Sequence, residues 1–182
     1  MLAQLSRVLA RIILGLALVV VLFAASSAPA SAQQAEASQI TTVLLVRHAD
    51  RDNDDDFLNC QGKARAKELV QVVEKANVKA IFMTDTQRSQ QTAEPLAQHL
   101  NLAPTSYEGL QELVSQILSQ YNGQAVFVVG HSNTLPLIVQ AFGGNSDNCQ
   151  LSGNEYDNLC VISVYGSERA NVINLQYGKP SS

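Results

Sequence analysis

Three short apolar runs, each followed closely by an arginine or a histidine, constrain the fold of this chain most strongly. They occupy residues 43–46, 80–83 and 125–129, and their length suits strands that are buried on both faces of a sheet. Ligands of open α/β sheets bind outside the carboxyl ends of the strands. The side chains that follow the three runs should therefore meet in one pocket. They are Arg47, His48, Arg88 and His131.

Helical patterns fill the intervals between these runs. Apolar residues recur at helical spacing, and the predicted helices cover about 61–77, 86–100, 110–121 and 132–142. Further strands are predicted near 103–107, 159–165 and 170–177. This alternation predicts a single α/β domain, built as a three-layer α/β/α sandwich around a mostly parallel central sheet.

Residues 1–32 have the pattern of a secretory signal peptide. Arg7 and Arg11 precede an apolar stretch over 12–25, and the segment ends in Ala-Ser-Ala, a cleavage pattern of small residues. A membrane-spanning helix needs about 20 apolar residues, so an uncleaved anchor is the weaker alternative. We expect a periplasmic or secreted protein that meets the membrane only during export, with residues 33–182 as its domain.

The charge of the chain argues against a polyanionic partner. Its 12 basic residues fall to 10 once Arg7 and Arg11 are removed, against 16 acidic residues, so the net charge moves from −4 to −6. Such a surface does not steer a protein toward nucleic acid or anionic lipid. A local cluster of arginines must attract any anion. This favours a small phosphorylated substrate as the partner, with a phosphoprotein as the alternative.

Three cysteines would meet an oxidising compartment after export. Cys160 lies in an apolar stretch that is predicted to be a buried strand, where a small core thiol fits. Cys60 and Cys149 both lie in polar loops, so the favoured disulfide joins Cys60 to Cys149. No two cysteines have the spacing of zinc ligands, and no metal site is expected.

Three sequence blocks surround the predicted pocket. Residues 45–49 read Leu-Val-Arg-His-Ala, residues 84–93 carry an arginine followed by Gln-Thr-Ala on a predicted helix, and residues 129–134 read Val-Gly-His-Ser-Asn-Thr. In this order they resemble the R-H-G, Q-T-A and G-H-x-N blocks of the histidine phosphatase superfamily. The resemblance is to its phosphoglycerate mutase-like branch and spans about 40–178.

Phosphate ester chemistry suits the residues of these blocks. A neutral imidazole is a nucleophile at neutral pH, and the resemblance implies that His48 attacks phosphorus to form a phosphohistidine. Arg47 and Arg88 would bind phosphate oxygens through their planar guanidinium groups. His131 would hydrogen-bond the transferring phosphoryl group, and Asn133 would offer the substrate an amide donor. Because the arginines supply the positive charge, we expect no metal and no cofactor.

The proton donor is where the sequence departs from the family pattern. One branch of the family has an aspartate after its second histidine, whereas Ser132 follows here. The mutase-like branch uses a glutamate after the Q-T-A helix, and Glu108 matches that position, with Glu112 as a spare candidate. Asp50 is the next candidate, and it is also a candidate substrate ligand. Ala49 stands where the family usually has glycine.

Two loops flank the predicted pocket. The acidic run 52–56 lacks the glycine and the glutamate that an EF-hand calcium loop requires at fixed positions. We interpret it as a solvated loop that the repulsion between its carboxylates keeps open. Tyr156 and Asp157 are candidates for the pocket rim, although loop solvation explains them equally well.

These observations predict an exported phosphatase that hydrolyses a phosphomonoester through a phosphohistidine on His48. A phosphomutase or phosphotransferase of the same superfamily is the alternative among enzymes. A non-catalytic phosphate-binding protein is the alternative outside them.

Overall fold

The computed structural model describes residues 39–53, 55–166 and 169–181, which belong to one compact unit, Ala37–Ser182. The predicted signal peptide lies outside these residues. The strands are β1 (Ile40–Arg47), β2 (Val78–Met83), β3 (Thr105–Ser106), β4 (Ala125–Gly130), β5 (Asn158–Tyr165) and β6 (Arg169–Gln176). The helices are α1 (Cys60–Val73), α2 (Gln87–Leu100), α3 (Leu110–Gln120) and α4 (Leu135–Ala141), with 3-10 turns at Glu74–Ala76 and Ser146–Cys149. Within the described part of the chain, no helix has the length and apolarity to cross a membrane.

The six strands form one sheet in the order β3-β2-β4-β1-β5-β6. The pairs β3–β2, β2–β4 and β4–β1 are parallel, whereas β1–β5 and β5–β6 are antiparallel. Arg47 is in register with Gly130, and Met83 is in register with Val129. The parallel strands therefore end together. This confirms the predicted mostly parallel sheet and brings the residues after β1, β2 and β4 side by side.

Helices cover both faces of the sheet. Alternate residues of β1 enter opposite cores: Leu44 and Val46 lie in the core that includes residues of α1 and α2. Val43 and Leu45 lie in the core that includes residues of α3 and α4. Because both faces are buried, β1 is apolar at every position from Val43 to Val46 and lacks the polar alternation of a half-exposed strand there. The three-layer α/β/α sandwich predicted from the sequence is confirmed.

The helix after β4 begins later than predicted. It covers Leu135–Ala141 instead of about 132–142. Residues 131–134 form a tight turn, in which the Thr134 hydroxyl oxygen accepts from the His131 N–H at 2.9 Å. The Thr134 N–H in turn donates to the His131 carbonyl at 2.9 Å. His131 is thus fixed by a turn at the end of β4, ahead of the helix.

The disulfide joins Cys149 to Cys160, so the predicted Cys60–Cys149 pair is wrong. Cys149 ends the second 3-10 turn and Cys160 lies in β5, with 5.9 Å between their Cα atoms. The predicted burial of Cys160 suggested a free thiol in the core. Cys149 is buried as well and is bonded to Cys160. Cys60 is exposed and unpaired at the first residue of α1. Disulfides persist in oxidising compartments, which agrees with the predicted export; export itself stays a prediction.

Peptide mapping without reduction should recover the Cys149–Cys160 bridge and find Cys60 open to alkylation. For so short a loop, chain entropy gives a disulfide about 3 kcal/mol of stabilisation. The double substitution Cys149→Ser/Cys160→Ser should lower the free energy of unfolding by about that amount in urea. Cys60→Ser, a matched control, should change it by less than about 0.5 kcal/mol. A bridge that contains Cys60 would contradict the structure.

Candidate active site

The four predicted pocket residues come together at the carboxyl edge of the parallel strands. Arg47 ends β1, and the His48 N–H donates to the Gly130 carbonyl of β4 at 2.9 Å. The ring centroids of His48 and His131 are 5.4 Å apart. Arg88, in the first turn of α2, is joined to the same edge through the Thr92 hydroxyl, which accepts from the Ala49 N–H and donates to the Arg88 carbonyl. Its charge lowers the pKa of both imidazoles.

His48 presents one nitrogen as a lone pair. The residue is buried, with 3% of its surface exposed. Its Nδ1 lies 2.9 Å from the Ala49 carbonyl oxygen. A carbonyl can only accept a hydrogen bond, so Nδ1 carries the proton and Nε2 does not. Nε2 is therefore the atom available for attack on an electrophile.

The two imidazoles are neutral at neutral pH. Burial lowers the pKa of His48 from 6.5 to about 3, because charging a ring away from water is unfavourable. The charge of Arg47 lowers this pKa further, while the hydrogen bond to Ala49 opposes the shift. Burial and then the charge of Arg88 lower the pKa of His131 to about 4. A nucleophilic imidazole must be in this neutral state.

Ala49 suits its position although the family usually has glycine there. Its side chain is fully buried with Leu58 and Ala66 in a small apolar cluster. Its N–H donates to the Thr92 hydroxyl oxygen at 2.9 Å, and that hydroxyl donates to the Arg88 carbonyl at 2.7 Å. The threonine of the Q-T-A block thus ties the end of β1 to the first turn of α2.

Asp50 is committed to a buried ion pair. Arg65 donates to it from Nε at 2.6 Å and from Nη2 at 3.3 Å, and Nη1 of Arg65 donates to the carbonyls of Tyr177 and Lys179. A Cβ on Gly62 would lie 2.1 Å from the Asp50 carbonyl oxygen, so only glycine allows α1 to approach this backbone. The predicted roles of Asp50 as substrate ligand or proton donor do not fit this setting. Two residues after His48 in the chain, its carboxylate compensates the buried guanidinium of Arg65.

The guanidinium of Arg47 is held by the loop before β5. Its Nη1 donates to the carbonyls of Gly153 at 2.7 Å and Glu155 at 3.1 Å. Its Nη2 donates to the Tyr156 hydroxyl at 3.3 Å, and the guanidinium carbon lies 4.0 Å from the centre of the Tyr156 ring. Its Nε is buried and has no hydrogen-bond partner among the described residues.

The guanidinium of Arg88 is paired with the acidic loop. Its Nη1 lies 2.5 Å from one carboxylate oxygen of Asp56, and the other oxygen accepts from the Gln87 N–H at 3.2 Å. The Nε of Arg88 is also buried and lacks a partner within the part of the chain described. The sequence predicted a solvated loop. In the structure, the Asp56 carboxylate of this loop also pairs with the guanidinium of Arg88.

The Nε donors of Arg47 and Arg88 indicate the ligand that the pocket fits. A buried N–H without an acceptor costs about 1–3 kcal/mol. Donors of this kind, carried by guanidinium groups beside two neutral imidazoles, suit a ligand with several acceptor oxygens and negative charge. Arginine binds phosphate through paired N–H groups. A phosphate group meets each of these requirements.

His131 is linked to hydroxyl groups of the segment after β2. Its Nε2 lies 2.8 Å from the Thr84 hydroxyl oxygen, which lies 2.8 Å from the hydroxyl oxygen of Ser89. The Thr86 hydroxyl donates to the same Ser89 oxygen at 2.9 Å. This chain of hydroxyl groups holds the imidazole of His131 in place beside His48.

Glu108, Glu112 and Asn133 are exposed. The Tyr107 N–H donates to the Met83 carbonyl in β2 at 3.0 Å, and its hydroxyl donates to the Val129 carbonyl in β4 at 3.2 Å. Glu108 follows directly and so lies at the edge of the sheet that carries the imidazoles. Glu112 lies in the first turn of α3, farther along the chain from this anchor. Asn133 lies in the turn that follows His131.

Of the two residues predicted for the pocket rim, Tyr156 fits that position and Asp157 does not. The ring of Tyr156 lies 5.9 Å from the ring of His48. Asp157 is buried, and its carboxylate accepts from the N–H and the hydroxyl of Ser181 at 3.1 and 2.9 Å. The Asp157 carboxylate therefore binds the segment that contains Ser181.

A cavity lies beside α2, away from the two imidazoles. It measures about 780 Å³ and follows one side of α2, where amide side chains such as Gln87 and Gln98 line it. It contains neither imidazole. The neutral imidazoles and the unpaired Nε donors of Arg47 and Arg88 lie at the strand ends instead.

Sequence reasoning missed several supporting residues. Thr92 and Thr84 belong to the second block, but a motif match gives no partner for a hydroxyl group. Arg65 is a basic residue on the inner side of an amphipathic helix, and only an acidic residue close in space makes that position possible. A charged residue on the apolar face of a predicted helix is the signal that could have revealed it.

The fold and this arrangement define a class of protein: an α/β/α sandwich with two neutral imidazoles and two guanidinium groups at the carboxyl edge of its sheet. The model of the histidine phosphatase superfamily (branch 1) matches residues 43–114. This match confirms the resemblance to the superfamily and includes the first two of the three sequence blocks.

Solved structures share the fold. A mycobacterial glucosyl-3-phosphoglycerate phosphatase has a TM-score of 0.62 at 14% identity, covering 73% of this chain and 97% of that one. The SixA protein of Agrobacterium tumefaciens, assigned as a phosphohistidine phosphatase, has a TM-score of 0.55 at 22% identity, covering 76% and 98%. A phosphoglycerate mutase from Plasmodium falciparum has a TM-score of 0.51 at 16% identity, covering 79% and 94%. Identities this low show the fold alone. No curated protein sequence matches the chain significantly.

Titration of the imidazole protons by NMR should place the midpoints of His48 and His131 near about 3 and about 4. Both pKa values lie below the unfolded value of 6.5, so the unfolded chain binds more protons. The free energy of unfolding should therefore decrease as the pH falls from about 6.5 toward about 4. A midpoint for His48 near its ordinary value would contradict this account of the site.

Proposed function

We propose that the protein hydrolyses a phosphomonoester through a phosphohistidine formed on Nε2 of His48. The observation that carries the proposal is a buried, neutral imidazole beside guanidinium groups whose Nε donors lack acceptors. A phosphate dianion satisfies these donors, and the guanidinium charges make its phosphorus easier for a neutral nucleophile to attack.

In the first step, the lone pair of His48 Nε2 attacks phosphorus and the P–O bond to the leaving group breaks. Arg47 and Arg88 stabilise the charge that spreads over the equatorial oxygens. The Ala49 carbonyl, bound to Nδ1, stabilises the positive charge that develops on the ring. Glu108, as a carboxylic acid, gives its proton to the leaving oxygen. The products are an alcohol, a phosphohistidine and the Glu108 carboxylate.

In the second step, water attacks the phosphorus of the phosphohistidine. The Glu108 carboxylate takes a proton from that water, and the P–N bond breaks. Inorganic phosphate leaves, His48 regains its lone pair and Glu108 is again a carboxylic acid. The cycle consumes one water and returns every group to its initial protonation state.

Similar structures support hydrolysis as the reaction. Two of the three described above carry the name of a phosphatase, and the third is a mutase with the same fold. Transfer of the phosphoryl group to a second hydroxyl group, in place of water, is therefore the competing outcome. The Q-T-A and G-H-x-N blocks are compatible with both reactions.

Purified protein should hydrolyse an aryl phosphate, and His48→Ala should lower kcat/KM by at least a factor on the order of 1000. His99→Ala is the matched control, because His99 is exposed and pairs with Glu74 on the surface. With labelled substrate and an alkaline quench, wild type should retain label in a bond that acid releases, as expected of a phosphoramidate. Glu108→Gln should slow an alkyl phosphate by about 100-fold and an aryl phosphate much less, since a phenolate needs less help from an acid.

Three results would change the assignment. Full activity of His48→Ala would refute the nucleophile. Label that passes to an added alcohol in preference to water would establish a phosphotransferase. Phosphate binding without turnover on a panel of phosphorylated metabolites, sugars and phosphoproteins would leave a phosphate-binding protein.

A further inference from the structure

The orientation of Arg47 depends on a loop that takes no chemical part in the proposed reaction. Residues 150–157 connect the second 3-10 turn to β5. The carbonyls of Gly153 and Glu155 accept both hydrogen bonds of Nη1, while Nε keeps no partner among the described residues. A long side chain of this kind loses much rotamer freedom when it is held. The loop supplies the contacts that hold it.

Tyr156 contributes two further contacts to the same guanidinium. The guanidinium carbon lies 4.0 Å from the centre of its ring, and its hydroxyl oxygen accepts from Nη2 at 3.3 Å. The same ring lies 5.9 Å from the ring of His48. One side chain therefore borders both the nucleophile and half of the arginine clamp. A desolvated cation–π contact of this type is worth up to about 30-fold in an equilibrium constant.

The loop is itself fastened at both ends and at its middle. The Cys149–Cys160 bridge joins the 3-10 turn to β5 across it. The Tyr156 N–H donates to the Ser181 hydroxyl oxygen at 2.8 Å, and the Tyr177 hydroxyl donates to the Tyr156 carbonyl at 3.2 Å. Tyr177 and Ser181 thus hold the backbone of Tyr156, while the bridge closes the loop at its ends.

We propose that Tyr156 is a positioning residue, which the disulfide-closed loop 149–160 holds so that the guanidinium of Arg47 keeps its Nε side free for phosphate. Tyr156 acts through Arg47 and not on the reacting atoms. Its loss should therefore weaken phosphate binding more than it slows the chemical step. The inference rests on the proposed phosphate site but not on hydrolysis as such.

The test measures the binding of inorganic phosphate by calorimetry and the steady-state kinetics with an aryl phosphate. Tyr156→Leu should weaken phosphate binding and raise KM by about 10- to 30-fold, with kcat changed by less than about threefold. Tyr156→Phe keeps the ring and should weaken binding by only about threefold, the value of one hydrogen bond. Tyr165→Leu, at the exposed end of β5, is the matched control and should bind phosphate as wild type does.

A double-mutant cycle with Arg47→Ala separates positioning from a general loss of structure. In the Arg47→Ala protein, Tyr156→Leu should cause no further loss of kcat/KM, because no guanidinium remains to be positioned. Breaking the bridge with Cys149→Ser/Cys160→Ser should weaken phosphate binding only when Arg47 is present, whereas Cys60→Ser should not weaken it.

Additive losses in that cycle, or equal phosphate affinity of Tyr156→Leu and wild type, would overturn the inference. Phosphate binding that depends on Tyr156, in a protein that turns over no phosphate ester, would refute the proposed hydrolase and support the positioning role.

Discussion

The neutral, buried state of His48 is the condition on which the rest of the site depends. Guanidinium groups lie beside it, and a protonated imidazole would add a further positive charge and lose its lone pair. Burial keeps the ring neutral, and the Ala49 carbonyl fixes its proton on Nδ1. The positive charge that a phosphate needs is thus carried by arginines, which keep their protons in proteins. A nucleophile and a strong anion site can then share one pocket.

The two arginines of the clamp are held in different ways. Arg47 is bound by backbone carbonyls and by Tyr156, on a loop closed by a disulfide. Arg88 is bound by the carboxylate of Asp56, a side chain that is about half exposed. A phosphate group would compete with the Asp56 carboxylate for Arg88. Arg47 uses its Nη groups for its protein contacts, so its Nε remains for the phosphate. One half of the clamp is therefore fixed, and the other half is open to exchange.

The residues that follow strands were predictable, and those fixed by distant contacts were not. Arg47, His48 and His131 could be placed together because apolar runs mark the ends of β1 and β4, and the ends of parallel strands meet at one edge. The Cys149–Cys160 bridge depends on how a 3-10 turn packs against β5. The sequence around each cysteine does not predict that packing. Asp50 has the sequence spacing of a pocket residue, but its carboxylate forms an ion pair with the buried Arg65.

A crystal structure with bound orthovanadate, which adopts the trigonal bipyramidal geometry of phosphoryl transfer, tests the central claim most directly. The account predicts vanadium bonded to Nε2 of His48, with the Nε groups of Arg47 and Arg88 about 2.7–3.1 Å from its oxygens. Asp56 should be displaced from Arg88. Vanadate bound at another nucleophile, or only in the cavity beside α2, would contradict the assignment of His48 and of the clamp around it.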